Sequence, residues 1–106
     1  MMIGQIRQGD VLLIPVEVQP PAALLPQDEV ILALGEITGH AHRLGGTVLE
    51  WTEGDKRYVR VLERPGILTH EEHDPIPVPV VPPEQTFRVV AQREWDLSEQ
   101  WRKVTD

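Results

Sequence analysis

All four histidines of the chain fall between positions 40 and 73, in two pairs: His40-Ala41-His42 and His70-Glu71-Glu72-His73. A neutral imidazole offers a nitrogen lone pair and is the commonest side-chain ligand of transition metals. On a strand, residues i and i+2 project from one face about 6.6 Å apart. His40 and His42 can therefore converge on one ion, at metal–nitrogen distances of about 2.0–2.1 Å. Gly35 and Gly39 permit a bend or bulge just before the pair, and Thr38 shares its face as a candidate hydrogen-bond partner for a ligating ring. In the second pair, a straight strand puts His70 and Glu72 on one face and turns His73 away. A bulge, or a turn beginning at Asp74-Pro75, is needed to bring His73 back.

Two ligand sets follow. One is His40, His42, His70 and His73, which suits zinc, copper or nickel. The other is three histidines with Glu72 or Glu71, which suits iron(II), manganese or nickel. Four neighbouring imidazoles resist protonation together, yet as neutral ligands they sit well around a dication. Glu36, Glu50, Glu71 and Glu72 offset its charge. If the protein is an enzyme, an open coordination position would take water or a small-molecule substrate and polarise it.

Two readings from other classes compete with the metal. Histidines facing each other across a groove can act as general acid and base on a phosphodiester, with Arg43, Arg57, Arg60, Arg64 and Arg88 as candidate phosphate contacts. The plainer expectation for Arg57 and Arg60 is a solvated strand face. Alternatively, the histidine face and the proline segment form a non-catalytic contact surface for a partner protein. Other chemistries are excluded or weak. The chain has no cysteine, so thiol nucleophiles, disulfides and iron–sulfur clusters are out. Ser98 is the only serine, and no phosphate-cradling glycine loop or His-Glu-x-x-His helix occurs.

The elements that must position these residues are short. Ten prolines and eight glycines among 106 residues leave little room for long helices. Extended pieces are expected at Asp10–Val16, at Glu29–Leu34 running on into Gly35–Leu44, and at Thr47–Trp51 after a tight hairpin at Gly45-Gly46. Lys56–Leu62 follows a turn at Glu53-Gly54-Asp55, and Ile67–His70 follows a turn at Arg64-Pro65-Gly66. Thr86–Trp95 closes the series. In Asp74–Pro83, prolines 75, 77 and 79 alternate with Ile76, Val78 and Val80, so one edge lacks N–H donors and the segment pairs on one side only. Asp96-Leu97-Ser98-Glu99 has the form of a capping box and predicts a short C-terminal helix carrying Trp101.

Together these features predict an all-β fold, one domain over residues 1–106, built as a compact small β-barrel. A net charge of −7 makes nucleic acid an improbable partner, because duplex binding draws on neutralised phosphates. No apolar run approaches the roughly 20 residues of a membrane span, and no leader precedes the first strand, so a cytoplasmic protein with no membrane association is expected. A homodimer paired through an exposed sheet is a further expectation for so small a barrel.

Gly35-Glu-Ile-Thr-Gly-His40-Ala-His42, then Glu50, then Pro65-Gly66-Ile-Leu-Thr-His70, resembles the motif pattern of the cupin superfamily. The resemblance implies a jelly-roll barrel with a metal in its mouth, held by His40, His42 and His70. Glu50 stands further from His42 than the glutamate of that family, which leaves His73 or Glu72 as the alternative fourth ligand. Gln8-Gly9-Asp10-Val11-Leu12 with the later Thr-Gly-His-x-His also resembles small bacterial and phage proteins of no assigned function.

Overall fold

A computed structural model of the chain describes residues 4–34 and 39–91. Among them the regular structure is entirely strand: β1 (Ile6–Gln8), β2 (Val11–Val16), β3 (Gln27–Leu34), β4 (Ala41–Glu53), β5 (Lys56–His70), β6 (His73–Val78) and β7 (Thr86–Ala91). The expected C-terminal helix, the last residues of the Thr86–Trp95 strand, and Glu36 and Thr38 lie outside the described residues. All pairings are antiparallel, in the order β1-β2-β7-β5-β4-β3, with β6 attached to β5.

Two expected turns are instead the bend of one long hairpin. Gly45 pairs with Ile67 and Thr47 with Leu62, so Gly46 alone faces residues 63–66 of β5 and both strands run through. Gly46 has φ 137° and Glu63 φ 69°, conformations that a bulge needs and regular strand does not. A Cβ on Gly66 would sit 2.7 Å from the Gly45 carbonyl oxygen, so only glycine lets the backbones cross this closely. Continuity wins over a turn because Leu44 and Val48, on either side of the glycines, both enter the same core at 0% exposure. The turn at Gly54 is formed as expected, with φ 65°.

The bend folds the sheet over itself. One edge of β5 pairs with β4, while the other meets β7 at Arg57–Val59 and β6 at Gly66–His70. Val30, Leu32, Leu44, Leu68 and Val78 thereby share one core with Val11, Leu13, Val59, Val61 and Phe87. Leu49, Trp51 and Tyr58 form a second cluster, in which the two rings of the Trp51–Tyr58 cross-strand pair stack at 5.6 Å.

Among the described residues the sheet does not close into the expected barrel. Among the described residues β6 pairs only with β5, as befits a segment with Pro75 and Pro77 on its donorless edge. Side chains bridge the two open seams. The Gln8 amide donates to the Leu68 and Asp74 carbonyls and ties β1 to β5 and β6. The Arg57 guanidinium donates to the Ile31 and Leu32 carbonyls and ties the start of β5 to β3.

Candidate metal centre

Four elements end or begin at the same end of the molecule: the β1–β2 turn, the start of β4, the end of β5 and the start of β6. Arg43 pairs with Thr69 and Leu44 with Leu68, so that register, carried one residue further, opposes His42 to His70. His70 pairs directly with His73. Three adjacent strands thus present imidazoles side by side, and His40 joins them two residues before His42. Ring centroids are 4.3 Å apart for His42–His70, 4.8 Å for His70–His73, 5.8 Å for His40–His70 and 5.9 Å for His42–His73. His70 is the hub.

The turn that returns His73 is at Glu71-Glu72, not at Asp74-Pro75. A loop of two residues makes its flanking positions cross-strand partners on one face, and a bulge between Leu68 and His70 absorbs the register change. Glu-Glu lacks the Asn-Gly signature of tight hairpins, and neither residue has positive φ, so the local sequence does not announce the reversal.

The acidic residues divide by role. Glu71 accepts hydrogen bonds from the Ala41 amide at 2.7 Å and from Arg43 at 2.8 Å. The Ala41 amide, aided by Arg43, holds its carboxyl down at about 2. One nitrogen each of His40 and His70 and one Glu71 oxygen lie within 4.8 Å of one another, close enough to share an ion. A Glu72 oxygen lies 3.7 Å from His40 Nδ1, while the Glu72 amide donates to His70 Nδ1 at 3.0 Å. A metal on His70 must therefore break that amide bond. Ligation at Nδ1 takes its lone pair, and ligation at Nε2 requires a hydrogen on Nδ1 that would face the amide N–H. Glu50 is elsewhere, paired with Arg57 eight positions along β4 from His42.

His42 is the buried member, at 5% exposure. Desolvation, reinforced by repulsion from His70 and His73 and opposed by Asp10 and Glu71, lowers its pKa from 6.5 to about 4. It is a neutral ring at pH 7, the form that binds metal. Residue types and spacing do not disclose three supports of the site. Gln8, 2% exposed, sets its side-chain oxygen 2.9 Å from His42 Nδ1. Gly9, at φ 55°, leaves room for the His73 ring, whose Nε2 would be 2.5 Å from a Cβ there. Asp10 adds negative charge beside His42. The one signal in the sequence is Gly9 itself, which breaks the chain before the strand at Asp10–Val16 but does not name His42 or His73, 34 residues from Gln8 and 64 from Gly9.

Three of the five arginines that were candidate phosphate contacts are engaged within the fold, Arg43 by Glu71 and the other two as follows. Arg57 is engaged by Glu50 and the β3 carbonyls, and Arg60 donates to the carbonyls of Pro82, Pro83 and Gln85. Both are backbone clamps rather than the solvated face expected of them.

Residues 7–92, which include every residue of the cluster, match a family described as Domain of unknown function (DUF8820). The chain belongs to the DUF8820 family. No curated protein and no solved structure matches it. The DUF8820 match thus covers both hairpin turns that build the centre, at Gly9-Asp10 and at Glu71-Glu72, together with the bend between them.

Proposed function

We propose that this protein binds a divalent transition metal through its histidine cluster. The observation that carries the proposal is the meeting of all four imidazoles of the chain within 5.9 Å, ring to neighbouring ring, at one end of the sheet. Burial of His42 as a neutral ring and the side-by-side placement of imidazoles from three strands are both what a site for a dication needs. His40 and His70, with Glu71, have donor atoms within 4.8 Å of one another and form the nucleus of the proposed site, to which His42 and His73 bring the adjoining rings and Glu72 a further oxygen. A nitrogen-dominated set favours zinc, copper or nickel over manganese or iron(II). When bound, such an ion acts as a Lewis acid toward water or a small molecule at any position the protein leaves open.

The cupin-like reading belongs with this proposal. It is supported by a bent sheet around a shared core and by histidines on neighbouring strands; the unclosed sheet and the distant Glu50 are departures from it.

The test is metal content. Tag-free protein, stripped with a chelator and titrated with Zn2+, Ni2+, Cu2+, Fe2+ and Mn2+, is expected to take up about one equivalent of at least one of them and to gain thermal stability. His42→Ala is expected to lose that uptake. Less than about a tenth of an equivalent of every metal, with no thermal shift, overturns the proposal.

A further inference from the structure

We infer that Gln8 is a positioning residue of this centre: its side-chain amide holds the hydrogen of His42 on Nδ1 and so presents Nε2 as the bare donor nitrogen. The inference deepens the metal-centre reading and takes its functional meaning from it, although the tautomer is a property of the metal-free protein.

The hydrogen-bond inventory around Gln8 leaves one solution. Its side-chain nitrogen lies 2.9 Å from the Leu68 carbonyl oxygen and 2.9 Å from that of Asp74. Carbonyl oxygens only accept, so both amide hydrogens are committed, and the nitrogen and oxygen ends cannot be exchanged. The side-chain oxygen is then the end that faces His42 Nδ1, at 2.9 Å. An amide oxygen also only accepts, so Nδ1 must donate. A neutral imidazole carries one hydrogen, which leaves Nε2 with its lone pair. Gln8 and His42 are 2% and 5% exposed, so water is poorly placed to substitute for either partner, and the reverse tautomer would bury two acceptors face to face.

The anchors of the amide are themselves informative. Leu68 lies two residues before His70, and Asp74 follows His73, with the bulge of the β5–β6 ladder between them. One side chain thus orients His42 directly and holds the two strands that carry the other cross-strand pair. Metal-ligating histidines commonly depend on such a partner for their free ring nitrogen. His70 lacks the equivalent arrangement, because its Nδ1 accepts from Glu72. Unlike His70, His42 is set in advance for ligation through Nε2.

Long-range 1H–15N correlation on the labelled, metal-free protein at pH 7 reads the tautomer of each histidine. His42 is expected to carry its hydrogen on Nδ1. Gln8→Met, which keeps the volume and removes both bonding ends, is expected to mix the two tautomers of His42 and weaken Zn2+ binding about 10- to 100-fold. Hydrogen on Nε2 of His42 in the unmodified protein overturns the inference, as does a folded Gln8→Met with unchanged tautomer and Zn2+ affinity. The expected tautomer in a protein that takes up no metal supports the hydrogen-bond lock and retires the metal-centre reading alone. Should Gln8→Met fail to fold, the spectrum of the unmodified protein still decides.

Discussion

At the scale of single residues, the centre is a contest between burial and charge. His42 titrates near 6.5 in the unfolded chain and near 4 in the folded one. Above pH 6.5 it is neutral in both states, and its contribution to stability is fully present. Between 6.5 and 4 the unfolded chain takes up a proton that the folded protein refuses, so stability falls as pH falls. Two and a half pH units correspond to at most about 3 kcal/mol. Urea unfolding of the metal-free protein at pH 7 and pH 4.5 should show a loss of this order, and His42→Gln should flatten the slope across that window. Glu71, held near 2 mainly by the Ala41 amide, contributes its own loss as pH falls from about 4.5 toward 2, so the two windows meet only near pH 4 to 4.5. The chemistry of both residues was legible early: histidines two and three apart announced ligands, and the glutamates between them announced compensating charge. Their partners were not, because Gln8, Ala41 and Arg43 reach them across ladders whose register no local spacing states.

At the scale of elements, the bend in the β4–β5 hairpin decides where His42 and His70 arrive. Gly45 and Gly66 lie on facing strands beside that bend, yet their tolerance should differ sharply. A Cβ on Gly45 meets nothing nearer than 3.9 Å, and its φ is not positive, so Gly45→Ala should change stability by less than about 0.5 kcal/mol. A Cβ on Gly66 meets backbone at 2.7 Å and two core side chains at 3.3 Å, so Gly66→Ala should cost about 2–3 kcal/mol. Chemical denaturation of the two variants checks the pair, and equal effects would contradict the close crossing of the backbones at the bend. The expectation of two turns at these glycines rested on sound local chemistry, since Gly-Gly and Pro-Gly do suit turns. Continuous ladders and a shared core on both sides of the bend outweighed that preference. The Asp74–Pro83 expectation fared better: one-sided pairing follows from missing N–H groups, a covalent fact that no tertiary context alters.

At the scale of the whole molecule, an open ladder is drawn together by two side chains at its seams. Arg57 serves the seam between β3 and the start of β5, donating to two carbonyls on the outer edge of β3 while pairing with Glu50. Arg57→Leu removes those donors and leaves Glu50 without its cation. It should cost about 1–3 kcal/mol in urea unfolding. By exposing a bare sheet edge it should also raise the fraction of dimer or larger species in size-exclusion chromatography. An unchanged elution profile and midpoint would show that the seam holds without it. Among the described residues no helix is long and apolar enough to cross a membrane.

The amino-acid sequence alone determined what covalent structure and short-range sterics control. These are the strand-forming alternation, the breaks at proline and glycine, the one-sided β6, the absence of thiol chemistry, and the spacing that makes paired histidines candidate ligands. Tertiary structure alone decided which breaks are turns and which are bulges, that Glu71-Glu72 reverses the chain, and that Gln8 stands against His42. The physical reason is that ladder register is a collective quantity. It is set by burying Leu44, Val48, Leu68 and Phe87 together in one core, and a shift of a single residue would turn His42, His70 and His73 away from one another.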